Sequence, residues 1–270
     1  MMDWLQALLL GALQGLTEFL PVSSSGHLVL FQEWLGEAFF AMGEEGLFIV
    51  LLHAGTLLPV LWFYRADLMA IVSSLIGSQS SEGDGREHRQ LAIAVTVATI
   101  PTGAMGLLFQ DLFERLFTNV SAVCAALLVT AGLLLATRFR SEPEGSGRPP
   151  TIALALLLGL VQGLAITPGI SRSGATIAAA LFLGMGREQA ARLSFLMSVP
   201  AICGALALKL SSGISLSTMP WGPALIGFVT AVIVGYGALV LLVALVRRGQ
   251  LHRFAAYLIP LAALAYLFLS

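Results

Sequence analysis

The chain has 270 residues, of which 57% are hydrophobic and 11% charged, with a mean hydropathy of +0.90. Soluble domains carry roughly 25% charged residues, so the composition excludes a water-soluble globular protein and points to one that crosses a bilayer several times. A formal net charge of −1 offers no electrostatic footprint for nucleic acid, and none is expected as a partner.

Taken in order, Trp4 to Leu20 has helical character and meets Pro21, which stops or bends it. At 1.5 Å per residue it reaches about 25 Å, short of a hydrocarbon core of about 30 Å. Ser24 to Leu35 is shorter still and ends at Gly36, so the two pieces read as a re-entrant hairpin around a polar break. No basic segment precedes the first apolar stretch, and a cleavable signal peptide is not expected. After Glu44 and Glu45, full crossings are expected over 46–64, 91–109 (kinked at Pro101) and 120–137. Between them lie an amphipathic piece at 67–76, a polar loop at 77–90 and a short loop at 110–119. Residues 151–167 form a second short helix broken at Pro168-Gly169, with a returning arm at 173–184. Three more crossings follow over 190–210, 223–246 and 254–269. Cys124 and Cys203 sit in apolar runs without zinc-ligand spacing and read as buried thiols. Trp4, Trp34, Trp62 and Trp221 fall near segment ends, as an interfacial belt requires.

The predicted fold is an all-α polytopic membrane protein, a single membrane domain over 1–270. It comprises a first repeat at 1–137, a cytoplasmic linker at 138–150 and a second repeat at 151–270. Without gaps, a shift of 148 positions superimposes Gly11 on Gly159, Gln14 on Gln162, Gly15 on Gly163 and Leu16 on Leu164. The same shift carries Ser23 onto Ser171, Ser25 onto Ser173 and Gly26 onto Gly174. Each half holds one hairpin and three crossings, an odd number, so the second half is expected to be inverted relative to the first. The charges orient it. Arg65, Arg86, Arg89, Arg138, Arg140, Arg148, Arg187, Arg192, Arg247, Arg248 and Arg253 fall on one side, while Arg115 and Lys209 fall on the other. The arginine-rich side is predicted to be cytoplasmic, so the first hairpin enters from outside and the second from the cytoplasm. Inverted repeats with broken helices suit a transporter, and equally a catalytic cavity.

The polar residues of the two breaks carry the chemistry. In QGLTEFLPVSSSGH (14–27), Glu18 is the only acidic residue of either tip, and Gln14 lies four residues earlier on the same helical face. A carboxylate at membrane depth must line a cavity or meet a cation, so Glu18 is a candidate metal ligand or acid/base group, with a structural ion pair to Arg172 as the alternative. One of Ser23, Ser24 and Ser25 can cap the following helix, whose free N–H groups suit an anion. His27 lies three residues after Ser24, and a hydroxyl beside an imidazole is the minimum for an activated oxygen nucleophile. In PGISRSGAT (168–176), Arg172 stands between Ser171 and Ser173 at a helix start and reads as a phosphate grip. His53 lies within a crossing, where a cavity-facing and a hydrogen-bonded interior role are both open.

These two motifs resemble those of the undecaprenyl-diphosphate phosphatases of the bacitracin-resistance type, and the hydrophobic layout is similar over essentially the whole chain. The resemblance implies hydrolysis of undecaprenyl diphosphate to undecaprenyl phosphate, a bacterial inner-membrane location and an active site open to the outer side. It further implies a divalent cation, Mg²⁺ or Ca²⁺, held by Glu18 with Gln14 as a second ligand. Ser24 and His27 correspond to the nucleophile and its activating histidine, and Arg172 with Ser171, Ser173 and Thr176 to the diphosphate grip. Gln14, Ser23 and Ser25 complete the substrate-binding set, and Gln14 occupies a position that is Glu in some members. Whether Ser24 or a water attacks is left open. Expected partners are a long-chain polyprenyl diphosphate and bilayer lipids, with a homodimer as an open option. Another class of lipid phosphatase shares the SGH and SR fragments, but its required histidine is Ala178 here, and the single lysine, Lys209, lies far downstream. A transporter or flippase for a polyprenyl phosphate lipid is the alternative function.

Overall fold

A computed structural model describes residues 4–36, 47–76, 82–140, 149–211 and 219–269, with side chains not described for 74–76 and 82–86. Glu44, Glu45, the first part of the predicted loop (77–81) and most of the predicted linker (141–148) lie outside the described residues. The chain folds into twelve described α-helices. The first hairpin is α1 (Trp4–Phe19) and α2 (Ser24–Leu35). It is followed by α3 (Leu47–Phe63), α4 (Arg65–Ile76), α5 (Glu82–Leu108), α6 (Gln110–Phe117) and α7 (Val120–Ala136). The second half contains α8 (Ile152–Leu164), α9 (Arg172–Phe182), α10 (Arg187–Ser211), α11 (Trp221–Arg247) and α12 (Ala255–Leu269).

Among the described residues, five helical stretches are long and apolar enough to cross a membrane: Glu87–Leu108, Val120–Phe139, Arg187–Ser211, Trp221–Arg247 and Leu251–Leu269. With α4, from which it is bent by 76°, α3 makes a sixth. The protein is therefore an all-α, multi-pass membrane protein. Large apolar side chains turned outward, such as Ile233 (67% exposed) and Leu267 (72% exposed), find lipid where a soluble protein would risk aggregation. All four tryptophans are exposed in the first or last turn of a helix. By contrast, α1, α2, α8 and α9, of 16, 12, 13 and 11 residues, are individually too short to span.

Three expectations are corrected. Helix α5 begins at Glu82, so most of the predicted 77–90 loop is the start of a helix that runs on through Pro101. The segment after it is the short helix α6, with Phe113 buried and Asp111, Glu114 and Arg115 exposed. Finally, Cys124 is buried but Cys203 is exposed. An apolar run in a membrane protein has a lipid-facing side, so hydrophobic neighbours alone do not place a thiol in the protein core.

Small residues let the hairpins approach the long helices. A Cβ on Gly11 of α1 would stand 2.3 Å from the carbonyl oxygen of Gly227 on α11. A Cβ on Gly159 of α8 would stand 2.2 Å from that of Ala98 on α5. The hairpin tips touch in the same reciprocal way, with Gly26 against Gly169 and Gly174 against Pro21. Ser23 caps α2 by accepting from the Gly26 amide (3.2 Å), and Ser171 caps α9 by accepting from the Gly174 amide (3.1 Å). The tips rest on a core that includes Phe19, Val123, Leu127, Ile177 and Phe195, all essentially inaccessible.

Candidate active site

Glu18 lies in the last turn of α1, where Pro21 ends the helix and leaves the carboxylate beside the polar break. Its Oε1 accepts from Arg172 Nη2 at 2.7 Å, and its Oε2 accepts from Ser24 Oγ at 2.8 Å and from Gln14 Nε2 at 3.1 Å. The side chains of Glu18 and Arg172 are only 9% and 16% exposed. Thus the first residue of α2 and the first residue of α9 converge on one carboxylate, joining the two tips.

These groups form the polar end of a cavity of about 770 Å³. Its wall is otherwise mostly apolar, supplied by α5, α10 and the break between α8 and α9, including Leu107, Ile166, Ile170, Ala201 and Leu208. Gln110, Glu114 and Phe117 of α6 and Lys209 near the end of α10 also line it. Helix α10 is 25 residues long and so spans about 36 Å. Its opposite end holds a charged cluster: Arg192 pairs with Asp67 and Glu87, and Glu188 pairs with Arg247. The cavity therefore extends toward the helix ends remote from that cluster of ion pairs.

Among the described residues, three buried side-chain atoms at or behind the cavity lack a hydrogen-bond partner: Arg172 Nη1, Gln162 Oε1 and Gln14 Oε1. Unpaired buried polar atoms cost free energy, which marks them as places where a further group completes the structure. The orphan guanidinium nitrogen suits a phosphate oxygen.

The predicted site residues separate into two groups. Glu18, Ser23, Ser24, Ser25, Ser171 and Arg172 line the cavity. Gln14 does not, being fully buried behind Glu18. Ser173 donates to the Phe19 carbonyl at 2.9 Å and ties the tips together. Thr176 donates to the Arg172 carbonyl at 2.7 Å and meets Ser194 at 2.6 Å, so its hydroxyl braces α9 instead of reaching a substrate.

The expected Ser24–His27 pair is not formed. Three helical residues rotate a side chain to roughly 60° short of a full turn, and here this directs His27 away from the cavity. Its Nδ1 lies 2.8 Å from the Ser23 carbonyl and its Nε2 lies 2.7 Å from the Tyr257 hydroxyl. The imidazole that does line the cavity is His53, whose Nε2 is 3.9 Å from Glu18 Oε2. Its position in a crossing was legible in the sequence; which way it faced was not. Thr99, Thr102, Gln162 and Ser198 also line the cavity and were not singled out as site residues.

With this geometry established, the bacitracin resistance protein BacA family matches residues 7–264. The chain belongs to that family. Among its relatives, the undecaprenyl-diphosphatase of Desulfatibacillum aliphaticivorans is 43% identical over 268 residues, covering 95% of both chains. That of Desulfosudis oleivorans is 44% identical over 271 residues, again covering 95% of both. The undecaprenyl-diphosphatase of Halothermothrix orenii is 42% identical over 258 residues, or 95% of this chain and 94% of its own. In this family member, both motif stretches fall inside the matched region.

Proposed function

We propose that this chain hydrolyses undecaprenyl diphosphate to undecaprenyl phosphate and inorganic phosphate, the reaction its relatives are named for. The observation that carries the mechanism is the hydrogen bond from Ser24 to Glu18, with Arg172 on the other carboxylate oxygen. Ser24 Oγ attacks the terminal phosphorus as its proton passes to Glu18. A bond forms between Oγ and phosphorus while the bridging P–O bond breaks, and the lipid monophosphate leaves. Water then cleaves the phosphoserine. Arg172 orients the diphosphate through Nη1 and balances charge, as phosphoryl transfer depends mainly on positioning and electrostatics. The apolar wall suits the start of a prenyl chain.

Glu18 is the carboxylate at the cavity that would hold a divalent cation, and Gln14 Oε1 is an unpartnered oxygen buried behind it, outside the cavity lining. They are hard donors of the kind Mg²⁺ or Ca²⁺ takes. Among the described residues no group of three or more His, Cys, Asp or Glu could hold a metal, so water and substrate phosphate would supply the remaining ligands. Such a cation would supply charge neutralisation at the diphosphate.

The reciprocal tip contacts and the matched serine caps, all related by the 148-residue shift, support an inverted repeat of 1–137 and 151–270. The same symmetry favours the second reading, a transporter or flippase for a polyprenyl phosphate lipid. The cavity's extension away from the arginine-rich helix ends supports an opening toward the outer face of a bacterial inner membrane. Phosphate release from a long-chain prenyl diphosphate by purified protein in detergent separates the readings. Release by the wild type that disappears in folded Glu18→Gln protein supports the phosphatase. Lipid movement in vesicles with no release would replace it by the transporter.

A further inference from the structure

Ser23 is the one non-glycine among the described residues with a left-handed backbone, at φ +70°. Such a conformation is strained for a residue that has a Cβ and persists only where neighbours hold it. It determines where Ser24, the next residue, points. Two groups of neighbours hold it. Ser23 Oγ accepts from the Gly26 and Gly169 amides at 3.2 and 3.1 Å. The Ser23 carbonyl lies 2.8 Å from His27 Nδ1 and also accepts from the His27 amide at 3.1 Å.

A carbonyl oxygen only accepts, so His27 Nδ1 carries the proton. In the neutral ring, Nε2 must then accept, and the group facing it at 2.7 Å is the Tyr257 hydroxyl, which donates. The two rings lie nearly parallel, 11° apart with centroids at 5.7 Å. Tyr257 comes from α12, 230 residues along the chain, and makes no contact with the cavity.

We infer that Tyr257 is a positioning residue for the phosphatase: by holding His27 in its Nδ1-protonated tautomer, it pins the Ser23 carbonyl and aims Ser24 at the substrate. The inference rests on Ser24 being the attacking hydroxyl. Tyr257 acts through two intermediaries and touches no reacting atom.

The test combines kinetics with ¹⁵N spectroscopy of labelled imidazoles in detergent-purified protein. Tyr257→Phe keeps the ring and removes only the donor. It should lower kcat by about tenfold, within the roughly 10²-fold that a misplacement of 1 Å produces, and leave KM nearly unchanged. Its His27 resonances should shift from one tautomer to a mixture. His27→Asn, whose amide can still donate to the Ser23 carbonyl, should retain more activity than His27→Ala. Adding Tyr257→Phe to His27→Asn should change nothing further, since the two act as one unit. Wild-type kcat in Tyr257→Phe, or an Nε2-protonated His27 in the wild type, would overturn the inference. Full turnover by Ser24→Ala would instead remove the serine mechanism, a result the tautomer measurement does not mimic.

Discussion

Arg172 Nη2 lies 2.7 Å from Glu18 Oε1, a contact between residues 154 positions apart that closes the two hairpin tips on each other. Glu18 is 9% exposed and Arg172 16%, so each neutralises the other where neither is fully solvated. Removing one partner of such a buried pair costs about 3–5 kcal/mol because the other is left uncompensated. In the proposed reaction, the unpartnered Nη1 is the atom that takes a phosphate oxygen.

Arg172→Ala is expected to lower phosphate release on the order of 10²–10³-fold, as loss of a transition-state donor does. Arg172→Lys should recover only part of it, lacking the planar fork. Thermal melting separates stability from activity. Glu18→Gln combined with Arg172→Ala should melt above Arg172→Ala alone while remaining inactive.

Ser24→Ala should abolish a trapped covalent phosphate. Acid quenching of wild-type protein with terminally labelled substrate should leave label on the peptide containing Ser24, because the hydroxyl already donates at 2.8 Å to Glu18, the base in the proposed mechanism. Label on another residue, or turnover by the variant within tenfold of wild type, would exclude Ser24 as nucleophile.

The two histidines near the first tip should differ in reactivity. His53 lines the cavity with its side chain 30% exposed, whereas His27 is 2% exposed and bonded at both ring nitrogens. Diethylpyrocarbonate should therefore modify His53, with protection by a prenyl diphosphate, and spare His27 in folded protein. Mass spectrometry of the modified peptides reads the outcome directly.

Gln14→Glu should reduce the Mg²⁺ or Ca²⁺ concentration giving half-maximal activity by roughly tenfold, since affinity in oxygen sites follows ligand charge. The expectation follows from Gln14 donating to Glu18 Oε2 while its own Oε1 has no partner. Cation titration after chelator treatment measures it. An unchanged midpoint would place the cation elsewhere.

Gly159→Ala should destabilise the fold by about 1–3 kcal/mol or more, since its Cβ would meet the Ala98 carbonyl at 2.2 Å. Gly132→Ala is the control, with nothing within 4 Å of an added Cβ. In detergent melts, the first should fall several degrees and the second should not.

The sequence by itself determined an all-α, multi-pass chain and the places of its two helix breaks. Apolar run length separated spanning helices from short hairpin arms, because bilayer thickness sets a minimum for a crossing. Pro21 and Pro168-Gly169 located the breaks, and the rarity of charge in an apolar chain singled out Glu18 and Arg172. Only the tertiary structure decided which side chains share a cavity. Helical spacing placed His27 near Ser24, but α12 presents Tyr257, and a partner 230 residues away leaves no local trace. The same limit applies to His53, which faces Glu18 because of how α3 packs. Thr176 and Ser173 carry a phosphate-grip pattern, yet their hydroxyls are taken by backbone carbonyls of Arg172 and Phe19. Residue type sets what a group can bind. Packing sets what it meets.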